Sequence, residues 1–178
     1  DATQNLDDFV EVSGAVKSVA VTLNKFANDL RLLSSGPRTG LNEINLPAVQ
    51  CGSSIMPGKV NPTQAEQATM VAARVMGNHQ TISFAASMGH LQLNVYWPVT
   101  IYSFLQSTKL LADSIRHFEA YCVRGIRPNR SKIEEHLNSS LMLVTQLTPL
   151  IGYEKAAQFA QMAYAEGESL HRIVMREL

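Results

Sequence analysis

Apolar side chains recur at spacings of three and four along the first thirty residues: Leu6, Phe9, Val10, Val16, Val19, Ala20, Leu23, Phe26, Ala27 and Leu30. At 3.6 residues per turn such positions share one helix face, so the spacing predicts one long helix. Ser35-Gly36-Pro37 ends it, because proline lacks the N–H that a continuing helix needs. From 38 to 61 the period lapses into Gly, Asn, Pro and Ser, a loop long enough to be functional. Asn61 and Pro62 then read as N-cap and first residue of an Ala- and Met-rich helix through Val71, Val75 and Met76 towards Ser87, interrupted at Gly89. A third long helix is predicted from about Val95 to Val123, with Pro98 near its start or kinking it and Gly125 closing it.

After Gly125 the elements shorten. Ser131 and Glu134 form a capping box opening a short helix, Pro149 and Gly152 mark a break, and Tyr153 to Glu166 reads as a helix stopped by Gly167. No internal repeat or strand-type alternation appears. The fold class predicted is all-α: a long-helix bundle over residues 1–130, carrying the loop 52–62, followed by a smaller helical module over 131–178. Met56, Met70, Met76 and Met88 read as adaptable core filling.

Charge then narrows the classes of function. The 178 residues hold 15 Lys and Arg against 15 Asp and Glu, a balance that lacks the electrostatic footprint of a nucleic-acid binder. No apolar run approaches a membrane span, and the N-terminal stretch has neither a basic leader nor a signal-type apolar core. Cys51 and Cys122, far apart and outside any CxxC pair, point to neither a zinc site nor a disulfide framework. A reducing compartment is expected, the cytoplasm, or mitochondria for a eukaryotic chain. The five histidines, His79, His90, His117, His136 and His171, show no metal spacing such as HxxxH or HExxH. Both ends read as cut from a longer polypeptide.

The segment Gly52-Ser53-Ser54-Ile55-Met56-Pro57-Gly58-Lys59-Val60-Asn61-Pro62 concentrates the candidate chemistry. It crowds two hydroxyls, two glycines, an ammonium and a carboxamide into one loop entering a helix, which suits an anion. A Ser53 alkoxide, held by backbone N–H groups and a cation, would be a strong enough base for a weakly acidic C–H. Lys59 offers a compact charge where negative charge accumulates on oxygen, and Asn61 an amide donor. Gly52 and Gly58 fit as hinges of a lid. Taken singly, each residue has a plainer reading: turn hydrogen bonds for the serines, a solvated lysine, and a helix-dipole carboxylate for Glu66.

The segment resembles the signature GSSxMPxKxNP of the fumarase/aspartase superfamily, and matches every fixed position of it. The resemblance extends over essentially the whole chain and corresponds to the later part of a family subunit. It implies that Ser53 is catalytic and that Ser54, Lys59, Val60 and Asn61 bind substrate. Asn61-Pro62-Thr63-Gln64-Ala65-Glu66 matches the fumarase pattern in which Glu66 partners a histidine acting on the hydroxyl or water side. That histidine belongs to a motif not found here. His90, in a Gly-His context also seen in fumarases, is expected to cap or pack.

Within the superfamily, Lys59-Val60-Asn61, Pro62-Thr63-Gln64 and the stretch 139–157 are most similar to class II fumarate hydratase, whereas 41–50 and 91–95 are closer to aspartate ammonia-lyase. The resemblance implies reversible hydration of fumarate to (S)-malate without a cofactor, and a homotetramer whose active sites draw on three subunits. On that reading the chain alone has little or no activity. Aspartate ammonia-lyase is the alternative, and a non-catalytic assembly or storage relative is the alternative from another class.

Overall fold

The first apolar stripe folds as α1 (Asp7–Leu33) in a computed structural model that describes residues 3–50 and 52–178. Ala20, Leu23, Ala27 and Leu30 are its buried line. Val19 and Phe26, predicted on the same face, are 48% and 43% exposed. Neighbouring positions such as 19 and 20 lie about 100° apart around a helix, so one packing partner cannot cover a stripe that includes both.

The second long helix is α2 (Thr63–Ala86) and the third α3 (Trp97–Tyr121). Small residues line the buried faces of both helices. Ala65, Ala68, Ala72 and Ala85 on α2, and Thr100, Ser103, Ser107 and Ser114 on α3, are buried at spacings of three, four or sums of the two. Val75 and Ile82 fill the spaces between, each contributing about 1.5–3 kcal/mol by burial. A buried amide crosses the seam: Asn78 Nδ2 lies 3.0 Å from Ser107 Oγ, 3.0 Å from Gln106 Oε1 and 3.3 Å from the Ser103 carbonyl. Because a buried carboxamide without partners is costly, this set fixes the register of α2 on α3.

Two sequence expectations for this region are corrected, and one is resolved. Asn61 does not cap α2, since Pro62 occupies the cap position and no side chain bonds there. Of the two alternatives for Pro98, the structure takes the first: it sits in the first turn of α3, where a missing N–H costs nothing. Met56 and Met70 are exposed rather than core, whereas Met76 does pack against the buried cluster.

Between α2 and α3 a tight turn pairs His90 with Leu93, each N–H donating to the other's carbonyl at 2.9 Å. Buried Asn94 holds it by donating to the Ala85 carbonyl at 3.0 Å and accepting from Tyr96 N–H at 2.8 Å. Strands β1 (Ile44–Asn45) and β2 (Arg127–Pro128) form a two-stranded sheet that the sequence did not suggest, too short for any alternation to show. Cys122 is buried in the α1–α3 cluster, and burial pushes its thiol pKa up, which keeps it protonated and a poor nucleophile. Cys51 lies outside the described residues.

The chain divides into two compact units, Asp1–Arg127 and Pro128–Leu178. The second contains α4 (Arg130–Ser139), α5 (Val144–Ile151), α6 (Tyr153–Glu166) and α7 (Leu170–Glu177), with α5, α6 and α7 meeting around Phe159, Ala163, Leu170 and Ile173. The predicted capping box is not formed: α4 begins before Ser131, whose hydroxyl donates to Asn129 Oδ1 at 3.0 Å. Pro149 lies inside α5, and the break falls at Gly152 alone, whose φ of 83° an L side chain rarely adopts. Helix α7 was not anticipated. Its signals are Ser169, whose hydroxyl accepts from Arg172 N–H, and the Leu170, Ile173, Val174 spacing.

Candidate functional site

The loop between β1 and α2 is drawn together at its base. Gly52 N–H donates to the Lys59 carbonyl at 2.9 Å, and Asn61 Nδ2 donates to the Gly52 carbonyl at 2.9 Å. The two ends touch so closely that a Cβ on Gly52 would stand 2.5 Å from the Lys59 oxygen. Lys59 N–H donates to the Met56 carbonyl at 3.2 Å, and Gly58 turns the chain with a φ of 77°.

Within this loop Ser53 is half-buried, and its Oγ accepts from two backbone amides, Ile55 N–H at 3.1 Å and Met56 N–H at 3.3 Å. Both donors point at the atom where an alkoxide would carry its charge, and hydrogen bonds to a charged form favour it. Ser54, Lys59 and Val60 are exposed. The Lys59 ammonium has no carboxylate partner among the described residues, which leaves it available to an anion. Asn61 is half-buried with one amide hydrogen on Gly52, leaving its second hydrogen and Oδ1 uncommitted. Glu66 lies in the first turn of α2, half-buried, and its carboxylate makes no hydrogen bond or ion pair to a described residue.

Two polar atoms at the base of the loop were given no role by the sequence. Thr63 Oγ1 and Gln67 Oε1, one helical turn apart, are buried without a hydrogen-bond partner. Polar residues four apart within an alanine-rich helix were the available signal.

The histidines contribute elsewhere. His79 Nδ1 lies 2.9 Å from Ser13 Oγ, which in turn donates to the Val10 carbonyl at 3.1 Å. By helix rise His79 is about 24 Å along α2 from Thr63, too far to reach the loop. His117 packs edge-on against Tyr121, and His90 is exposed with its backbone in the turn described above. Among the described residues no cluster of His, Cys, Asp or Glu could hold a metal ion, and no helix is long and apolar enough to cross a membrane.

Residues 1–77 match a family profile described as "Lyase", and residues 143–177 one described as "Fumarase C C-terminus". A protein of Pseudomonas aeruginosa named fumarate hydratase class II 1 is 56% identical over 170 residues, 96% of this chain and 37% of that protein. The chain belongs to the fumarase/aspartase superfamily. Within that superfamily it is most like class II fumarate hydratase, and it spans a little over a third of the length of the curated relatives it matches. The crystal structure of recombinant class II fumarase from Schistosoma mansoni superposes with a TM-score of 0.94 at 47% identity, covering 98% of this chain and 36% of that one. A structure described as fumarate lyase:delta crystallin from Brucella melitensis, bound to cobalt, gives 0.91 at 44% identity, covering 98% and 38%. These superfamily neighbours share the all-α architecture.

Proposed function

We propose that this chain supplies the serine-base loop of a fumarate hydratase, interconverting fumarate and (S)-malate. The observation that carries the reading is the pair of amide hydrogens aimed at Ser53 Oγ, in a loop whose Lys59 ammonium has no carboxylate partner among the described residues. In the malate direction Ser53, as the alkoxide, takes the proton from the carbon beside one carboxylate. The C–H electron pair moves into that carboxylate, giving a dianionic aci-acid. Lys59, Ser54 and the free amide hydrogen of Asn61 hold the oxygens that gain charge, and Val60 closes the apolar side. The electrons then return to form the C=C bond as hydroxide leaves, protonated to water by an acid linked to Glu66. That acid, a histidine in the family, comes from sequence outside this chain.

The assembly follows from the same reading. Phe26 on α1 and Ile101, Leu105 and Tyr121 on α3 are large apolar residues exposed in a single chain. A homotetramer packed along the long helices would cover such faces and bring the missing groups to the loop. The 178-residue chain alone is accordingly expected to turn over little or no fumarate.

The test is Ser53→Ala in a polypeptide of the relatives' full length that contains this sequence, with fumarate followed by absorbance. Loss of a positioned base is expected to lower kcat about 10²- to 10⁴-fold. An undiminished rate sinks the reading. The same protein offered aspartate should release no ammonia; release would assign the loop to an ammonia-lyase instead.

A further inference from the structure

We infer that Asn61 is a positioning residue for Ser53, acting through Gly52 as a latch across the neck of the loop. This rests on the serine-base reading above and assigns the carboxamide a task beyond contact with substrate.

The two peptide units flanking Gly52 are both tied to the far end of the loop. On one side Gly52 N–H donates to the Lys59 carbonyl at 2.9 Å. On the other, the Gly52 carbonyl, which belongs to the peptide bond leading into Ser53, accepts Asn61 Nδ2 at 2.9 Å. With the first unit held by Lys59 and the second by Asn61, the direction in which Ser53 leaves the neck is set. Glycine would otherwise be the least constrained point of the backbone. Its missing Cβ is what admits the contact, since that atom would stand 2.5 Å from the Lys59 oxygen and 3.1 Å from Asn61 N.

The consequence reaches the base itself. Ser53 Oγ accepts from amides two and three residues further on, at 3.1 and 3.3 Å, so its alignment depends on the plane in which the Gly52–Ser53 peptide is held. Releasing the latch lets that plane rotate and turns the hydroxyl away from its donors. A residue that only contacted substrate would leave this geometry untouched.

Two substitutions separate the possibilities. Asn61→Ala removes the donor; Gly52→Ala keeps every polar group and pushes the neck apart. In the full-length protein both are expected to lower kcat about 10- to 100-fold while KM stays near the parent value, because misplacement of a reacting group acts on the chemical step. Both should raise the isotope effect with malate deuterated at the abstracted position. In the 178-residue chain, amide hydrogen exchange at Gly52, Ile55 and Met56 should quicken in both variants.

A raised KM with unchanged kcat in Asn61→Ala would overturn the inference, as would parental exchange rates at those three amides. If either variant fails to fold, Asn61→Asp retains the shape without the donor and must show the same exchange signature at those amides. Activity surviving Ser53→Ala would instead refute the serine-base reading, whereas the exchange result reports on the latch independently of turnover.

Discussion

Lys59 has no carboxylate partner among the described residues, and the Ser53 hydroxyl oxygen accepts from backbone amides alone. Charge-assisted hydrogen bonds to a bound anion contribute about 1.5–3 kcal/mol, so Lys59→Met should reduce kcat/KM about 10- to 100-fold in the full-length protein. Lys59→Arg should rescue it poorly, because a planar guanidinium does not replace a compact charge in a tight turn. Steady-state kinetics with malate checks both. At this scale the sequence singles out Ser53, Lys59 and Glu66 by their spacing within one motif, and the structure sets Ser53 and Lys59 in one loop with Glu66 in the first turn of the helix that follows. Asn61 reads as a helix cap in the sequence and instead bonds the Gly52 carbonyl. Asparagine before a helix usually caps it, and nothing local encodes a bond to a carbonyl nine residues earlier.

Helices were legible from periodicity because burial of one face dictates the spacing, and α1 (Asp7–Leu33) follows its apolar stripe closely. Packing partners were not, which is why Val19 and Phe26 were assigned to a face that a single chain leaves open. The buried faces of α2 and α3 show how a sequence of unremarkable alanines and serines carries structural information. Ala68 is fully buried in the cluster that also holds the buried line of α1, and Ala68→Leu should destabilise the first unit by about 1–3 kcal/mol through overpacking, measured by denaturant unfolding.

The Ser13–His79 contact between α1 and α2 predicts a pH response. Burial and then the nearby Lys17 charge lower the pKa of His79 below its ordinary 6.5, so the folded state favours the neutral ring while the unfolded chain binds the proton more readily. Stability linked to His79 is thus fully present above about pH 6.5 and is lost as the pH falls through that value towards the depressed folded one. Thermal melts between pH 7.5 and 5 should show a declining Tm that His79→Gln flattens.

At the scale of the whole molecule, each of the two units has its own buried cluster, and the first also carries apolar side chains that its own core does not cover. Ile101 and Leu105, one turn apart on α3, are 39% and 57% exposed. If further copies cover them, sedimentation should show association, and Ile101→Glu with Leu105→Glu should shift the protein towards smaller species. None of this was readable in the periodicity, since a helix that packs on two sides looks like one with a broad stripe. What the sequence did disclose at this level, long helices followed by shorter ones, reflects where its glycines and prolines fall.

Ile55, at the tip of the loop, is 87% exposed. Recognition of a small, highly charged diacid by polar groups would, by itself, bury scarcely any hydrocarbon. If the tip instead folds inward over the ligand, an aliphatic surface leaves water in the same step, and the heat capacity of binding becomes negative. Titration calorimetry at several temperatures would therefore register the movement of this one side chain, and Ile55→Ser should make the enthalpy of binding less dependent on temperature.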